Sequence, residues 1–123
     1  MNNKVLAGGC FNKLHEGHVY FLMRAKALGS ELTVVLANDS HNKKPYAIKA
    51  ELRKEALEKL GIADKVIIGD PDQFVGTVIK EKPAVIALGY DQTLPADVEA
   101  KLSELNVKVA RVDKHGDLST SSL

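Results

Sequence analysis

The sequence predicts an α/β fold, a single doubly wound sheet of five parallel strands with helices on both faces. Apolar runs rich in β-branched residues alternate along the 123-residue chain with segments of helical spacing. The runs are continuous rather than alternating in polarity, which is typical of strands buried on both faces of a parallel sheet. Because crossovers between parallel strands are right-handed, such an alternation of strands and helices covers both faces.

Five strands are predicted from these runs in chain order. The runs are KVLA near Lys4, LTVVLA from Leu32, KVIIG from Lys65, AVIAL from Ala84 and VKVARV from Val107. No linker-like composition, internal repeat or low-complexity tract interrupts them. The sequence therefore predicts one domain over residues 1–123.

Four helices are predicted between the strands. The first covers about residues 18–28, the second about 50–60 and the third about 71–80, and the fourth runs from Pro95 near its first turn to a stop at Asn106. The apolar residues with helical spacing in the first two helices are Phe21, Leu22, Ala25, Leu28, Leu52, Ala56, Leu57 and Leu60. We expect these side chains to face the sheet.

Composition limits the classes of function. Hydrophobic residues make up 45% of the chain, enough for a core without disulfides, and Cys10 is the single cysteine. The 17 basic residues against 16 acidic ones give a formal net charge of +1, so no global field recruits nucleic acid or an anionic membrane. No apolar stretch approaches the roughly 20 residues of a membrane span, and the start lacks a signal-peptide core. We expect a cytoplasmic protein.

Polar chemistry is concentrated at the carboxyl ends of the predicted strands. Those ends read GGCFNKLHEGH, ANDSHNKKPY, GDPDQ, LGYDQ and DKHGDLSTSS. In a doubly wound sheet, ligands bind beyond these ends, near the point where the winding reverses. Gly8 and Gly9 directly follow the first predicted strand, so backbone can approach a ligand there, and a helix starting near Glu16 directs its positive end at the same place. This arrangement predicts a phosphate site.

Two histidines supply donors to that site. His15 and His18 share a face at the mouth of the first helix, and Gly17 between them removes a side chain that would crowd phosphates. The glycine-rich motifs G-x-G-x-x-G and G-x-x-x-x-G-K-[ST] are both absent. The alternatives for the pair are an accidental surface arrangement and a zinc site, for which no conveniently spaced third ligand exists.

The stretch GGCFNKLHEGH resembles the G-x-F-D-x-x-H-x-G-H signature of the HxGH nucleotidyltransferase superfamily, specifically its cytidylyltransferase-like branch. The matching residues are Gly9, Phe11, His15, Gly17 and His18, whereas Asn12 replaces the usual aspartate. The resemblance covers nearly the whole chain. It implies a Rossmann-like fold and transfer of a nucleotidyl group with release of pyrophosphate, by positioning and charge stabilisation.

Three further stretches are similar to the same family. NKKPYAIKAELRKEAL matches the segment in which basic residues hold phosphates, LGYDQ matches the loop bordering the nucleotide, and LSTSSL matches its I-S-T-T/S ending. By themselves these stretches could be a solvated loop, a capped turn and a disordered tail. Arg53 in the first turns of a helix opposes the helix dipole and has Lys49 and Leu57 four residues away, which favours a phosphate partner.

The resemblance implies a role for each matching residue. The expected catalytic residues are His15, His18, Lys44 and Arg53. The expected nucleotide-binding residues are Gly8, Gly9, Cys10, Phe11, Gly17, Lys43, Gly89, Tyr90, Asp91, Ser119, Thr120 and Ser121, and the acceptor-binding residues are Asn12 and Asn38. No protein metal site is expected, since Mg²⁺ or another divalent cation would bridge the phosphates of ATP or CTP with mostly water ligands.

The acceptor is a small phosphorylated molecule. The stretches ALGYDQ and STSSL look closer to archaeal FAD synthase than to glycerol-3-phosphate cytidylyltransferase, so transfer of AMP from ATP to FMN is the leading reaction. CMP transfer to glycerol 3-phosphate and adenylyl transfer to a heptose phosphate of lipopolysaccharide core synthesis are the alternatives. With 5% aromatic residues, a flavin would have few stacking partners, chiefly Tyr20, Tyr46, Tyr90 and Phe11.

A different class of function is a nucleotide-binding module without turnover. It is favoured by Asn12, and by Lys114 and Asp117 where cytidylyltransferases of this pattern have arginine and glycine. The resemblance also implies a homodimer. Because LSTSSL resembles the entrance to a helix, we expect a C-terminal helix after Leu123.

Overall fold

The computed structural model describes residues 3–9, 11, 16–38, 49–69, 74–89, 94 and 96–112. Strands and helices alternate in the order β1 (Lys4–Gly9), α1 (Glu16–Lys26), β2 (Glu31–Leu36), α2 (Ala50–Leu60), β3 (Lys65–Ile68), α3 (Phe74–Glu81), β4 (Val85–Leu88), α4 (Ala96–Leu105) and β5 (Lys108–Arg111). The predicted α/β fold is confirmed. None of the helices in the described part of the chain is long and apolar enough to cross a membrane.

The five strands form one parallel sheet in the order β3-β2-β1-β4-β5. The chain winds outward from β1 to β3, crosses back, and continues from β4 to β5. The winding therefore reverses between β1 and β4, which is where sheets of this kind bind ligands.

The helices cover opposite faces of the sheet. Ala7 of β1 lies in a buried cluster with Leu22 of α1 and Leu57 of α2. The adjacent residue of β1 points to the other face, where the second cluster includes Leu6, Val78 of α3 and Val98 of α4. Because successive side chains of a strand alternate between faces, the apolar runs of β1 serve both cores.

Burial differs between the central and the edge strands. β1, β2 and β4 are mostly buried, as the continuous apolar runs predict. The prediction of burial on both faces is wrong for β5, where Val109 is 42% exposed. It is half wrong for β3, where Ile68 is 37% exposed. These strands form the two edges of the sheet, so each has only one neighbouring strand.

Two details of the predicted helices need correction. The first helix begins at Glu16 and ends at Lys26, so Leu28 lies beyond its end. Leu28 is also exposed. On α2, Leu52 is 59% exposed and Ala56 is exposed, while Arg53 is buried with Leu57. The predicted stop of α4 is confirmed, since Asn106 follows it in the left-handed region with φ 57°.

An ion-pair cluster ties elements together at the amino edge of the sheet. The Oε1 atom of Glu81, at the end of α3, lies 3.0 Å from Nζ of Lys4 and 3.3 Å from Nζ of Lys65. Burial raises the pKa of the Glu81 carboxyl, but hydrogen bonds and charge from the two lysines outweigh it and leave the pKa lowered. This edge is opposite to the carboxyl ends of the strands, so the cluster contributes to stability.

A second carboxylate on the same edge holds β2 and α1. Oδ2 of Asp64 accepts a 2.8 Å hydrogen bond from the backbone N–H of Leu32, and its Oδ1 lies 3.3 Å from Nζ of Lys26. The Leu32 N–H is the main cause of a lowered pKa for this carboxyl. The start of β2 and the end of α1 are thereby tied to the turn before β3.

Candidate active site

The candidate site lies where β1 and β4 stop pairing. The ladder between these strands ends at Ala7 and Ala87, whereas β1 stays paired with β2 through Gly9 and Leu36. Gly8 and Gly9 are thus the last two residues of β1, not residues that follow it, which corrects the sequence-based boundary. The glycine pair lies at the reversal of the winding, as a ligand site of a doubly wound sheet requires.

Packing against Phe11 is a reason for glycine at position 9. A Cβ atom added to Gly9 would lie 2.9 Å from Cε2 of Phe11, closer than real Cβ contacts. Phe11 itself has φ 50°, a left-handed conformation that bulky residues rarely adopt. Such conformations persist where the surrounding structure enforces them, and they are concentrated at functional sites.

The Phe11 ring is part of the core rather than of an open surface. It is 6% exposed and lies in the buried cluster beneath α1 and α2. The prediction that Phe11 offers a stacking surface to a flavin is therefore wrong, because the ring is covered by neighbouring side chains.

Phe11 instead contacts His18. The two ring centroids are 5.1 Å apart with an interplanar angle of 60°, an edge-to-face geometry. His18 is the third residue of α1 and is partly buried, and its Nδ1 atom is fully buried. Because Nδ1 is buried, only Nε2 of this ring could reach a ligand at the mouth of α1.

Arg53 lies in the first turn of α2 and is 1% exposed. Its backbone N–H bonds to the carbonyl of Lys49, which caps α2 without a side-chain hydrogen bond. A buried guanidinium needs polar partners, and Arg53 does interact within the protein. The sequence places this cation correctly at the start of α2 but does not predict its burial.

Two glycine carbonyls at the carboxyl edge are held by side chains from neighbouring strands. Nδ2 of Asn38, two residues after β2, lies 3.4 Å from the carbonyl oxygen of Gly69, which follows β3. Nη1 of Arg111, the last residue of β5, donates a 2.7 Å bond to the carbonyl of Gly89, which follows β4. One N–H of the Asn38 amide thus already donates within the fold. The sequence predicts that Asn38 contacts the phosphorylated acceptor substrate.

Arg111 is a residue that sequence reasoning missed. The signal that could have found it is a cation at the last position of a strand whose carboxyl end meets the site. The predicted site residues that the structure describes are Gly8, Gly9, Phe11, Gly17, His18, Asn38, Arg53 and Gly89. Those outside the described residues are Cys10, Asn12, His15, Lys43, Lys44, Tyr90, Asp91, Ser119, Thr120 and Ser121.

The positions of Gly8, Gly9 and the start of α1 at one edge of the sheet are typical of an anion site. Gly8 and Gly9 end β1 at the winding reversal, and α1 begins at Glu16 with its positive end at the same edge. Within the described ranges, no group of three or more histidine, cysteine or acidic side chains is arranged to hold a metal ion.

Comparison with known proteins gives concordant results. The family model described as Cytidylyltransferase-like matches residues 6–121. The FAD synthase of Thermoplasma volcanium is 38% identical over 126 residues, which cover 97% of this chain and 89% of that protein. The FAD synthase of Methanosarcina mazei is 44% identical over 115 residues, covering 89% of this chain and 76% of that protein.

Solved structures agree on the fold. The lipopolysaccharide core biosynthesis protein from Thermoplasma volcanium superposes with a TM-score of 0.84 at 36% identity, covering 94% of this chain and 99% of that one. A pantothenate synthetase from Thermus thermophilus has a TM-score of 0.62 at 15% identity over 91% of this chain and 56% of its own. At that identity, the second likeness shows the fold alone.

Proposed function

The chain belongs to the cytidylyltransferase-like family, and from that premise we propose that it transfers AMP from ATP to FMN, giving FAD and pyrophosphate. The observation that carries the proposal is the 36–44% identity to several FAD synthases over most of the chain. In this reaction, a phosphate oxygen of FMN attacks the α-phosphorus of ATP. A new P–O bond forms as the bond from the α-phosphorus to the bridging oxygen breaks, and pyrophosphate leaves.

His18 is proposed to stabilise charge on the α-phosphate. Its ring stands in the first turn of α1 with Nδ1 buried, so the proposed donor to a non-bridging phosphate oxygen is Nε2. His15, which directly precedes α1 in the sequence, is proposed to act with it. A donor placed where charge develops stabilises the transition state more than the ground state, which raises the rate.

The remaining phosphates need cations. Arg53, in the first turn of α2, is proposed with Lys43 and Lys44 to stabilise the departing pyrophosphate. The substrate is proposed to be the Mg²⁺ complex of ATP, in which the ion neutralises phosphate charge and keeps mostly water ligands. The described residues near α1 and β1 then only need to bind the phosphates and orient them.

The loops around the carboxyl edge are proposed to bind the two substrates. Gly8, Gly9 and Gly17 would bring backbone close to the triphosphate, with Cys10 and the backbone of Phe11 beside them. The loop after β4 and the serine-rich end would border the nucleotide through Gly89, Tyr90, Asp91, Ser119, Thr120 and Ser121. Asn12 and Asn38 are proposed to contact the acceptor.

A pyrophosphate-release assay tests this proposal. ATP and CTP are each combined with FMN, glycerol 3-phosphate and heptose 1-phosphate. FAD is detected by separating it from FMN by chromatography. We expect pyrophosphate and FAD from ATP with FMN, and a kcat lowered by about two to four orders of magnitude in His18→Ala. Met23→Ala, on the exposed side of the same helix, is the matched control and should keep wild-type kcat.

The same pairs of nucleotide and acceptor also distinguish the alternative functions. A second candidate, adenylyl transfer to a sugar phosphate, is favoured by the likeness to the lipopolysaccharide core biosynthesis protein and would give pyrophosphate with heptose 1-phosphate instead. Pyrophosphate from CTP with glycerol 3-phosphate would identify a cytidylyltransferase. Nucleotide binding without pyrophosphate from any pair would overturn the enzymatic proposal in favour of a binding module. A homodimer in the cytoplasm is part of the proposal and is checked by sedimentation and by fractionation of cells.

A further inference from the structure

We propose that Arg111 is a positioning residue that holds the backbone at the end of β4 in the conformation that the nucleotide requires. The inference rests on the proposed function, because it assigns the Gly89 loop to the nucleotide. Its structural basis is the 2.7 Å hydrogen bond from Nη1 of Arg111 to the carbonyl oxygen of Gly89.

The bond extends the β4–β5 ladder beyond its last backbone rung. Leu88 pairs with Arg111, and the backbone N–H of Val112 donates a 2.7 Å bond to the carbonyl of Leu88. The next carbonyl, just after β4, belongs to Gly89, and it accepts a hydrogen bond from the guanidinium of Arg111. Two successive carbonyls of the departing chain are therefore fixed, that of Leu88 by the backbone of Val112 and that of Gly89 by the side chain of Arg111.

The hydrogen bond from Arg111 restricts the backbone more at Gly89 than it would at another residue type. Without a Cβ atom, Gly89 can adopt many backbone conformations, so the direction in which the chain leaves β4 is poorly defined by its own sterics. A peptide unit is planar, so fixing its carbonyl fixes the orientation of the whole unit. The donor from Arg111 thus removes conformations that glycine would otherwise allow, at the point where the LGYDQ segment begins.

The location connects this constraint to the candidate site. β4 has β5 on one side and β1 on the other, so Gly89 lies between Arg111 and the strand that ends in Gly8 and Gly9. Arg111 supports the Gly89 backbone from the β5 side. The side chain is exposed and the bond is charge-assisted, so the residue acts locally on the loop and not on the core.

The test uses Arg111→Met, which keeps much of the side-chain length but has no donor. We expect the Kd and KM for ATP to rise about 10-fold, the size expected from losing one charge-assisted hydrogen bond, with kcat within about 3-fold of wild type. Arg111→Lys keeps a donor that can reach a carbonyl and should recover most of the affinity. Lys108→Met is the matched control, because Lys108 is an exposed cation at the opposite end of the same strand.

Hydrogen exchange distinguishes positioning from direct attraction of phosphates. In Arg111→Met without nucleotide, amides in the peptide spanning residues 85–94 should exchange faster than in wild type, while peptides from α1 and β2 stay unchanged. Weaker ATP binding with unchanged exchange would overturn positioning, because the cation would then act on the ligand. Unchanged ATP affinity would overturn the proposal altogether.

The result is independent of the acceptor. ATP affinity is measured by calorimetry without FMN, so a wild-type protein that binds ATP but makes no FAD would refute the proposed reaction and leave this comparison valid. Thermal unfolding of Arg111→Met should stay within about 3 °C of wild type, as for an exposed side chain. A larger shift would show that Arg111 supports the fold instead, and would contradict the proposal.

Discussion

The edge of the Phe11 ring and the imidazole of His18 pack against each other, with centroids 5.1 Å apart and an angle of 60° between the planes. Phe11 is in turn enclosed by the core and pressed against Gly9. The orientation of His18 is thereby linked to the packing of the residues just after β1. An aromatic contact of this kind contributes about 0.5–1.5 kcal/mol beyond burial, enough to favour one ring orientation.

Replacing Phe11 by leucine should lower kcat more than it alters the KM for ATP. The smaller side chain keeps an apolar group in the core but removes the ring edge, so we expect a kcat about 10-fold lower as His18 samples unproductive orientations. Steady-state kinetics well below the unfolding temperature measure this. Val66→Ala, in the same core cluster on β3, should lose about 1–3 kcal/mol of stability with unchanged kcat. An equal fall in kcat in both variants would mean that stability alone is responsible.

Replacing Gly9 by alanine should disturb the same contact from the other side. The new Cβ would meet the Phe11 ring at 2.9 Å, so the ring has to move away from its present position. We expect a kcat loss similar to that of Phe11→Leu, and a double variant that is no worse than either single one, because leucine leaves room for the Cβ. Additive losses in the double-mutant cycle would show that Gly9 acts on the ligand independently of Phe11.

Stability should fall in acid through Glu81. The folded-state pKa of its carboxyl is lowered, so ionised Glu81 favours the fold above the pKa of an unfolded glutamate, about 4.3, and this contribution disappears as the pH falls through the lower folded-state value. Glu81→Gln should be less stable than wild type at pH 7 by about 1–3 kcal/mol, and the difference should shrink below pH 4.

Urea unfolding as a function of pH measures this dependence. The control is Glu104→Gln, which removes an exposed carboxylate paired with Lys101 on α4 and should change stability by under about 0.5 kcal/mol. If the difference between Glu81→Gln and wild type were the same at pH 7 and pH 3, the ion pairs with Lys4 and Lys65 would not be its cause.

Thr33→Val should leave the protein equally stable or stabilise it by up to about 1 kcal/mol. Among the described residues, the hydroxyl of Thr33 on β2 is buried and has no hydrogen-bond partner, and valine has the same shape without the polar atom. Thr33→Ser, which keeps the hydroxyl and removes the methyl group, should destabilise by about 1 kcal/mol. Chemical denaturation compares the two. A valine variant less stable than wild type by more than 1 kcal/mol would indicate that a buried water satisfies the hydroxyl.

Local patterns in the sequence are sufficient to predict the alternation of strands and helices. Apolar runs and helical spacing are properties of short segments, so the order of elements and the stop of α4 at Asn106 follow from them. The carboxyl-edge location of Gly8, Gly9 and His18 also follows, because parallel strands bring their ends to one edge. Family membership follows from the spacing of the histidine motif together with three further stretches.

Tertiary contacts decided what each of these residues does. The exposure of Leu52 and the burial of Arg53 depend on which face of α2 meets the sheet. Apolar spacing predicted the burial of Leu57 correctly but was wrong for Leu52. The ring contact of Phe11 with His18 and the bond of Arg111 to Gly89 join residues whose distance in space no local pattern encodes. The sequence by itself determined the elements and the edge that carries the site, since these depend on near neighbours. Which side chains orient the site was decided by the pairing of β5 with β4 and by the packing of α1 on β1. Those contacts exist only after the chain has folded.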